Sequence, residues 1–168
     1  MSPRYDVPKA APEPLRRVQL LINSVDLENE RDWLPGWLGE NGLESEHDRA
    51  LELREALRAL VIANNRGRPP DTGAVEAVNR SAEHLTVRLA EDGRFRLTAA
   101  GDALDRIVAI AFEAMLDGSW GRLKACRNCR WCFYDYSPNR SATWCSMQLC
   151  GNRRKTRAYR ARRRLQER

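Results

Sequence analysis

Five cysteines are the residues of this chain whose type and spacing could do chemistry, and all of them lie in the last third of its 168 residues. Cys126 and Cys129 form a C-x2-C pair; Cys145 and Cys150 form a C-x4-C pair after fifteen intervening residues. Clustered cysteines in a protein without a secretory signal indicate metal or redox chemistry before disulfides. Two close pairs joined by a longer loop suit folding around one ion, and four thiolates close a tetrahedral zinc site.

A four-ligand site leaves one of the five cysteines over. Cys132 lies in an alternating apolar stretch, Trp131-Cys-Phe-Tyr134, where a cysteine packs as a small apolar residue. Ligation by Cys129 and Cys132, with Cys126 free, is a competing assignment. A redox-active C-x2-C pair is a second alternative, but such pairs begin a helix in a βαβ unit, which the sequence does not indicate.

The charge of the chain divides sharply near residue 120. Residues 1–120 carry 15 Lys and Arg against 21 Asp and Glu, whereas residues 121–168 carry 14 basic groups against two acidic ones. On a helix, one stripe of the C-terminal segment holds Arg153, Arg157, Arg160 and Arg164. Such dense positive charge predicts a polyanion partner, and arginine suits phosphates and guanine edges. The alternatives are a solvated tail, docking on the acidic part of the chain, or a membrane surface.

The cysteine module resembles the CGNR zinc-finger family. The resemblance rests on Trp144-Cys-Ser-Met147, on Cys150-Gly-Asn-Arg153 with the basic residues after it, and on Phe133-Tyr-Asp135-x-Ser137-x-Asn139-Arg140, and it spans roughly residues 123–160. It implies zinc as the cofactor. The ligands that it implies are Cys126, Cys129, Cys145 and Cys150.

Residues 15–118 are similar, more weakly, to the helical ABATE domain that usually precedes this finger. The matching pieces are Leu21-Ile-Asn23-Ser-Val-Asp26, a Leu-Arg-x-Ala-Leu-Arg run at 53–58, and a hairpin before the last helix. Relatives are described as bacterial stress-related transcription regulators, a description that implies DNA binding.

The elements that must position this module are mainly helical. Apolar spacing predicts helices from residue 15, over 46–65, from a cap at Asp71 or Thr72, and over 99–117, with a helical turn at 33–38. Alternation around Glu91-Asp92-Gly93 predicts a β-hairpin near 85–98. The expected fold is thus mainly α with one β-hairpin. A disordered leader (1–14) precedes a helical domain (15–120), and a small four-cysteine zinc finger with a basic helix follows (121–168).

The remaining sequence offers no catalytic motif. Residues 15–120 lack a glycine-rich phosphate loop, a Gly-x-Ser-x-Gly elbow and a His-Glu-x-x-His pair, so we expect no enzyme. The sequence has no apolar run near the ~18 residues of a membrane span, and its first twenty residues have no apolar signal region. We therefore expect a cytoplasmic protein without a membrane partner.

These features together predict a zinc-dependent transcription regulator that contacts double-stranded DNA. The helical domain would sense a signal or oligomerise, with a homodimer or a small-molecule effector as its partner. The candidate DNA contacts are Arg140, Asn152, Arg153, Arg154, Lys155, Arg157, Arg160 and Arg164, with Asn139 as a further candidate. The alternative is an RNA-binding or ribosome-associated zinc module. In that case bases would stack on Trp131, Phe133, Tyr134 and Tyr136.

Overall fold

The computed structural model describes residues 9–65, 67, 69–153, 156 and 163, and this part of the chain is mainly helical, as predicted. Its α-helices are α1 Leu15–Ile22, α2 Leu34–Asn41, α3 His47–Asn64, α4 Thr72–Ser81 and α5 Ala103–Leu116. Its strands are β1 Val25–Asp26, β2 Arg31–Asp32, β3 Leu85–Leu89, β4 Phe95–Ala99, β5 Leu123–Ala125 and β6 Cys132–Tyr134. Within these residues, no helix combines the length and hydropathy that crossing a membrane requires.

The strands form three antiparallel pairs among the described residues, where the sequence predicts one hairpin. The predicted hairpin is β3–β4, which places Leu85 opposite Ala99 and Leu89 opposite Phe95, with Gly93 in the turn at φ +74°. The additional pairs are β1–β2 and β5–β6. Their strands have only two or three residues, and of the four only β6 is indicated by the sequence, through the alternating apolar stretch at 131–134.

Helix α3 is the central element of the hydrophobic core and contacts α1, α2, α4 and β5. Leu53, Leu57 and Val61 recur on it at helical spacing and are fully buried. The helix ends at Asn64, within the Asn-rich stretch that predicts its end. Helix α5 begins four residues later than predicted, because residue 99 still pairs in β4 and Asp102 caps the helix. The Asp102 carboxylate accepts from the backbone of Leu104 and Asp105.

The helical part and the cysteine module share one core, which the change in charge at residue 120 does not suggest. Leu123 and Ala125 of β5 are buried in the same cluster as the helices, and so are Cys132 and Tyr134 of β6. The strands β5 and β6 therefore belong to the cysteine module by sequence and to the helical core by packing.

Two asparagine side chains join these strands to the helices, and each binds the strand backbone as a neighbouring strand would. Asn23, after α1, donates to the Cys132 carbonyl and accepts from the Cys132 N–H, both at 2.8 Å. Asn65, after α3, donates to the Ala125 carbonyl and accepts from its N–H. Each amide thus pairs with one N–H and one carbonyl at a strand edge, and Gln19 Nε2 also donates to the Cys132 carbonyl at 3.1 Å.

Residues 9–14 differ from the disordered leader that their prolines predict. Ala11 is buried in the core, and its N–H donates to the Gln19 side chain at 2.7 Å. The Lys9 carbonyl accepts from Tyr134 N at 2.9 Å, so residue 9 continues the edge of β6. This part of the predicted leader is a strap across the junction of the two modules. Residues 1–8 lie outside the described part of the chain.

Candidate metal centre and basic surface

The structure brings Cys126, Cys129, Cys145 and Cys150 together, with their sulfurs within 4.8 Å of one another and all four residues buried. Three of the Sγ–Sγ distances are 3.5, 3.6 and 3.7 Å. These distances are far longer than a disulfide bond. They are close to the about 3.8 Å edge of a tetrahedron with Zn–S bonds of 2.3 Å. The four cysteines are thus positioned to bind a metal ion, and a donor set of four thiolates suits zinc.

The first pair of cysteines forms the turn of the β5–β6 hairpin. Cys126 follows β5 directly, its N–H donates to the Trp131 carbonyl, and its carbonyl accepts from Arg130 N at 2.9 Å. Arg130 adopts a positive φ of 63°, which closes the turn and returns the chain toward β6. The C-x2-C spacing therefore positions two sulfurs at the tip of a hairpin whose base lies in the helical core.

The second pair flanks a capped turn at Met147–Gly151. Ser146 begins this turn, its hydroxyl accepting from Leu149 N and its carbonyl from Cys150 N at 3.0 Å. Gly151 packs so closely that a Cβ there would lie 2.8 Å from Met147 Sδ. The turn brings Cys145 and Cys150 to the same side, as the sequence predicts for the C-x4-C pair.

Hydrogen bonds among Cys126, Cys129 and Cys145 shift the pKa values of these three thiols in opposite directions. The pKa of Cys126 lies far below its usual value, because its thiolate accepts hydrogen bonds from the thiols of Cys129 and Cys145. The pKa of Cys129 rises to about 12 because its thiol donates to Cys126, and the pKa of Cys145 is raised for the same reason. A cation bound by all four would displace these protons, so metal binding would release protons and strengthen with pH.

Cys132 lies apart from this group. It is fully buried in the helical core, and burial raises the pKa of its thiol to about 12. The structure thus groups Cys126 with the other three cysteines and gives Cys132 the apolar packing role expected of a strand residue. The competing assignment, with Cys132 in place of Cys126, has no support in this geometry.

Asp135 organises the loop between the two cysteine pairs. Its buried carboxylate accepts from Lys124 Nζ at 2.9 Å, from the N–H and hydroxyl of Ser137, and from Ala142 N. Burial alone would raise the pKa of Asp135, but the hydrogen bonds from Lys124 and Ser137 outweigh burial and lower it to about 2. The Asp135-x-Ser137 motif quoted for the family resemblance is thus a structural brace rather than a contact surface.

Three of the predicted DNA contacts that the structure describes, Arg140, Asn152 and Arg153, lie on the surface, as does Asn139. Arg153 donates to Glu28 Oε1 at 2.8 Å, across to the β1–β2 turn of the helical part. Most of the predicted basic helix lies outside the described residues. The predicted DNA contacts that fall there are Arg154, Lys155, Arg157, Arg160 and Arg164.

Two basic residues of the finger were missed as candidates by the sequence analysis. Arg127 and Arg130 are exposed and stand on either side of Asn128-Cys129, at the hairpin tip. Asn128 donates to the same Glu28 oxygen that binds Arg153, at 3.4 Å. Arginine spacing along one predicted helix carries no information about the exposed arginines of the hairpin tip, because these belong to the first cysteine pair.

The aromatic residues proposed for base stacking are mostly unavailable. Trp131, Phe133 and Tyr134 are buried in the two cores. Tyr136 is 60% exposed, and its hydroxyl donates to the Ala10 carbonyl at 2.7 Å. Packing therefore explains three of these four aromatic residues, and Tyr136 is the one that the described structure leaves exposed for base stacking.

Two family models match the chain, one for each module. Residues 16–118 match the ABATE model, described as "Putative stress-induced transcription regulator". Residues 122–163 match the model of the CGNR zinc finger. Among curated proteins, none matches significantly. The two matched segments correspond to the two resemblances that the motifs indicate.

Proposed function

Since the chain belongs to the ABATE family and carries a CGNR zinc finger after that domain, we propose that it is a zinc-dependent transcription regulator whose finger binds double-stranded DNA. The helical domain would carry the regulatory signal, through an effector or a second copy. A closed site of four thiolates leaves no position for a substrate, so the metal would act by holding the finger together.

The observation that carries this proposal is the position of exposed arginines on both sides of the sulfur cluster. Arg127 and Arg130 belong to the first cysteine pair, and Arg153 follows the second. Asn128 of the first pair lies 3.7 Å from the sulfur of Cys150 in the second. A metal ion bound by both pairs would therefore fix the hairpin tip next to the start of the basic segment. Phosphate contacts from both would supply affinity, and a few base contacts would supply specificity.

Two further basic residues of the finger, Arg122 and Lys124, have structural roles. Lys124 is buried against Asp135, and Arg122 donates to the carbonyls of Asp135 and Ser137. These cations stabilise the loop and are not available to a polyanion. The surface that remains is arginine-rich, which suits the forked recognition of phosphates and guanine.

In vitro selection with the zinc-loaded full chain and random duplex DNA at ~150 mM salt tests this proposal. We expect an enriched motif that is lost in the Arg157→Ala/Arg160→Ala variant. The matched control is Arg80→Ala/Arg96→Ala, which removes two exposed arginines from the helical part. If about five phosphates are neutralised, log K should fall with log salt at a slope of about −4 to −5. Failure to enrich any motif, or binding without salt dependence, would contradict DNA recognition by this surface.

A further inference from the structure

A cavity of about 200 Å³ lies between the helical part and the finger. Residues of α1 and α2 line one side, and residues of β6 and its approach line the other. Pro35, Gly36 and Glu40 are exposed at its rim, so the cavity opens to solvent. Both modules contribute to its wall, so a molecule bound there would contact both.

Four aromatic side chains line this cavity. Trp33 and Trp37, one helical turn apart, line it from the helical part; Trp131 and Phe133 line it from the finger. Aromatic walls with a few polar groups are typical of sites for small organic ligands. A cavity of about 150 Å³ holds one benzene molecule, so this volume suits one or two fused rings with a substituent.

The charged residues of the cavity favour an anion. Asp32 is neutralised by Arg54, which donates to both of its carboxylate oxygens at 2.8 and 3.0 Å. Lys9 lies over the Phe133 ring and donates to the Trp144 carbonyl, a neutral acceptor. Arg16 has no carboxylate partner within the described part of the chain. Among the described residues that line the cavity, two cations therefore stand against one remaining carboxylate, Glu40 at the exposed rim.

We propose that this cavity binds a small aromatic carboxylate, with its ring against the tryptophans and its carboxylate at Arg16. The aromatic walls supply apolar burial and stacking for the ring. The guanidinium of Arg16 presents the forked donors that bind a carboxylate through two hydrogen bonds. A neutral ring or an aromatic amine would lack that contact and, for the amine, would meet the like charges of Lys9 and Arg16.

Binding at this place would connect the ligand to the basic surface. Trp33 packs against the buried cluster that contains the four grouped cysteines. The backbone N–H of Trp33 donates to the Ser24 carbonyl at 2.7 Å. The β1–β2 segment between Ser24 and Trp33 carries Glu28, the partner of Arg153. A ligand that moves Trp33 therefore acts on the turn that holds the start of the basic segment. This regulatory consequence rests on the proposed DNA binding, whereas ligand binding itself does not.

The test uses the zinc-loaded full chain titrated with benzoate and 1-naphthoate, and with benzamide and benzylamine as uncharged and cationic counterparts. Binding is followed by tryptophan fluorescence, because three of the five tryptophans line the cavity, and by the shift in melting temperature. DNA affinity is measured separately, without and with the carboxylate. The test variant is Arg16→Gln. Its matched control is Arg17→Gln, because Arg17 is a neighbouring exposed arginine that pairs with Glu13 outside the cavity.

We expect the carboxylates to bind and to stabilise the protein, with affinity at least tenfold weaker in Arg16→Gln and unchanged in Arg17→Gln. Benzamide and benzylamine should bind much more weakly than benzoate. The assignment is overturned if no carboxylate binds, if benzylamine binds best, or if Arg16→Gln binds benzoate as well as the wild type does. Carboxylate binding without any DNA binding would overturn the proposed function and leave the ligand assignment standing.

Discussion

Asn23 shows how a single side chain couples the two modules. Its amide is buried and makes two hydrogen bonds of 2.8 Å to the backbone of Cys132. Removing it leaves the buried Cys132 N–H unpaired, which costs about 1–3 kcal/mol, whereas the Cys132 carbonyl keeps its bond from Gln19 Nε2 at 3.1 Å. The sequence offers no sign of this role, because an asparagine after a helix is equally typical of a turn.

We predict that Asn23→Ala lowers the free energy of unfolding by about 1–3 kcal/mol, because the buried Cys132 N–H loses its acceptor. Urea denaturation of the zinc-loaded protein measures the change. Asn41→Ala is the control, since Asn41 is exposed and makes one bond to the Trp37 carbonyl. Equal effects of the two substitutions would mean that the Cys132 contact contributes little.

The carboxylate of Asp102 makes the stability of the fold depend on pH. Burial alone would raise the pKa of Asp102, but hydrogen bonds from the Asp105 backbone and from Arg49 outweigh it and hold the pKa below its ordinary 3.8. The lowered pKa means that Asp102 stabilises the fold above pH 3.8 and that this contribution disappears as the pH falls further. Asp102→Asn keeps a capping side chain and removes the charge.

We expect Asp102→Asn to cost about 1 kcal/mol at pH 7 and almost nothing in strong acid, as measured by urea denaturation across pH. Asp92→Asn serves as comparison, because its ion pair with Arg96 is about half exposed and should matter little at any pH. A cost for Asp102→Asn that stays constant down to strong acid would show that the charge is not the cause.

At the scale of the elements, the hairpin β5–β6 decides which cysteines can meet. Cys126 and Cys129 stand in its turn, whereas Cys132 begins β6 and packs into the helical core. We predict that Cys126→Ser loses bound zinc and that Cys132→Ala keeps one zinc per chain with a lower melting temperature. Metal analysis after desalting gives the stoichiometry. Retained zinc in Cys126→Ser together with loss in Cys132→Ala would reverse the assignment.

An ion pair at the β1–β2 turn should weaken the binding of DNA. Glu28 binds Arg153, so a polyanion must compete with this carboxylate for the arginine. An exposed ion pair is worth about 0.2–1 kcal/mol, so Glu28→Gln should tighten DNA binding about two- to fivefold. Glu30→Gln removes the same charge from the same turn, and the structure gives Glu30 no contact with Arg153. If both variants tighten binding equally, general charge is the cause and not this pair.

For the whole molecule, the sequence predicts the parts better than their arrangement. The helices, the hairpin β3–β4 and the grouping of four cysteines follow from periodicity, turn residues and spacing, all of which are local signals. The shared core does not, because residues such as Leu123 and Tyr134 bury against helices that are distant in sequence. The aromatic cavity follows the same rule: Trp33 and Trp131 meet only after both modules have packed.

The strands on either side of the first cysteine pair lie inside the helical core, so we expect the helices and the finger to unfold together. A fragment ending at residue 118 would keep helices α1 to α5 but would lack Leu123, Ala125, Cys132 and Tyr134, so the helical surfaces that these residues cover would be open to water. Asn23 and Asn65 would lose the strand residues with which they pair. The family boundary in the sequence is therefore not a boundary in folding. Stripping the metal with a chelator should lower the melting temperature of the helices as well, in one transition.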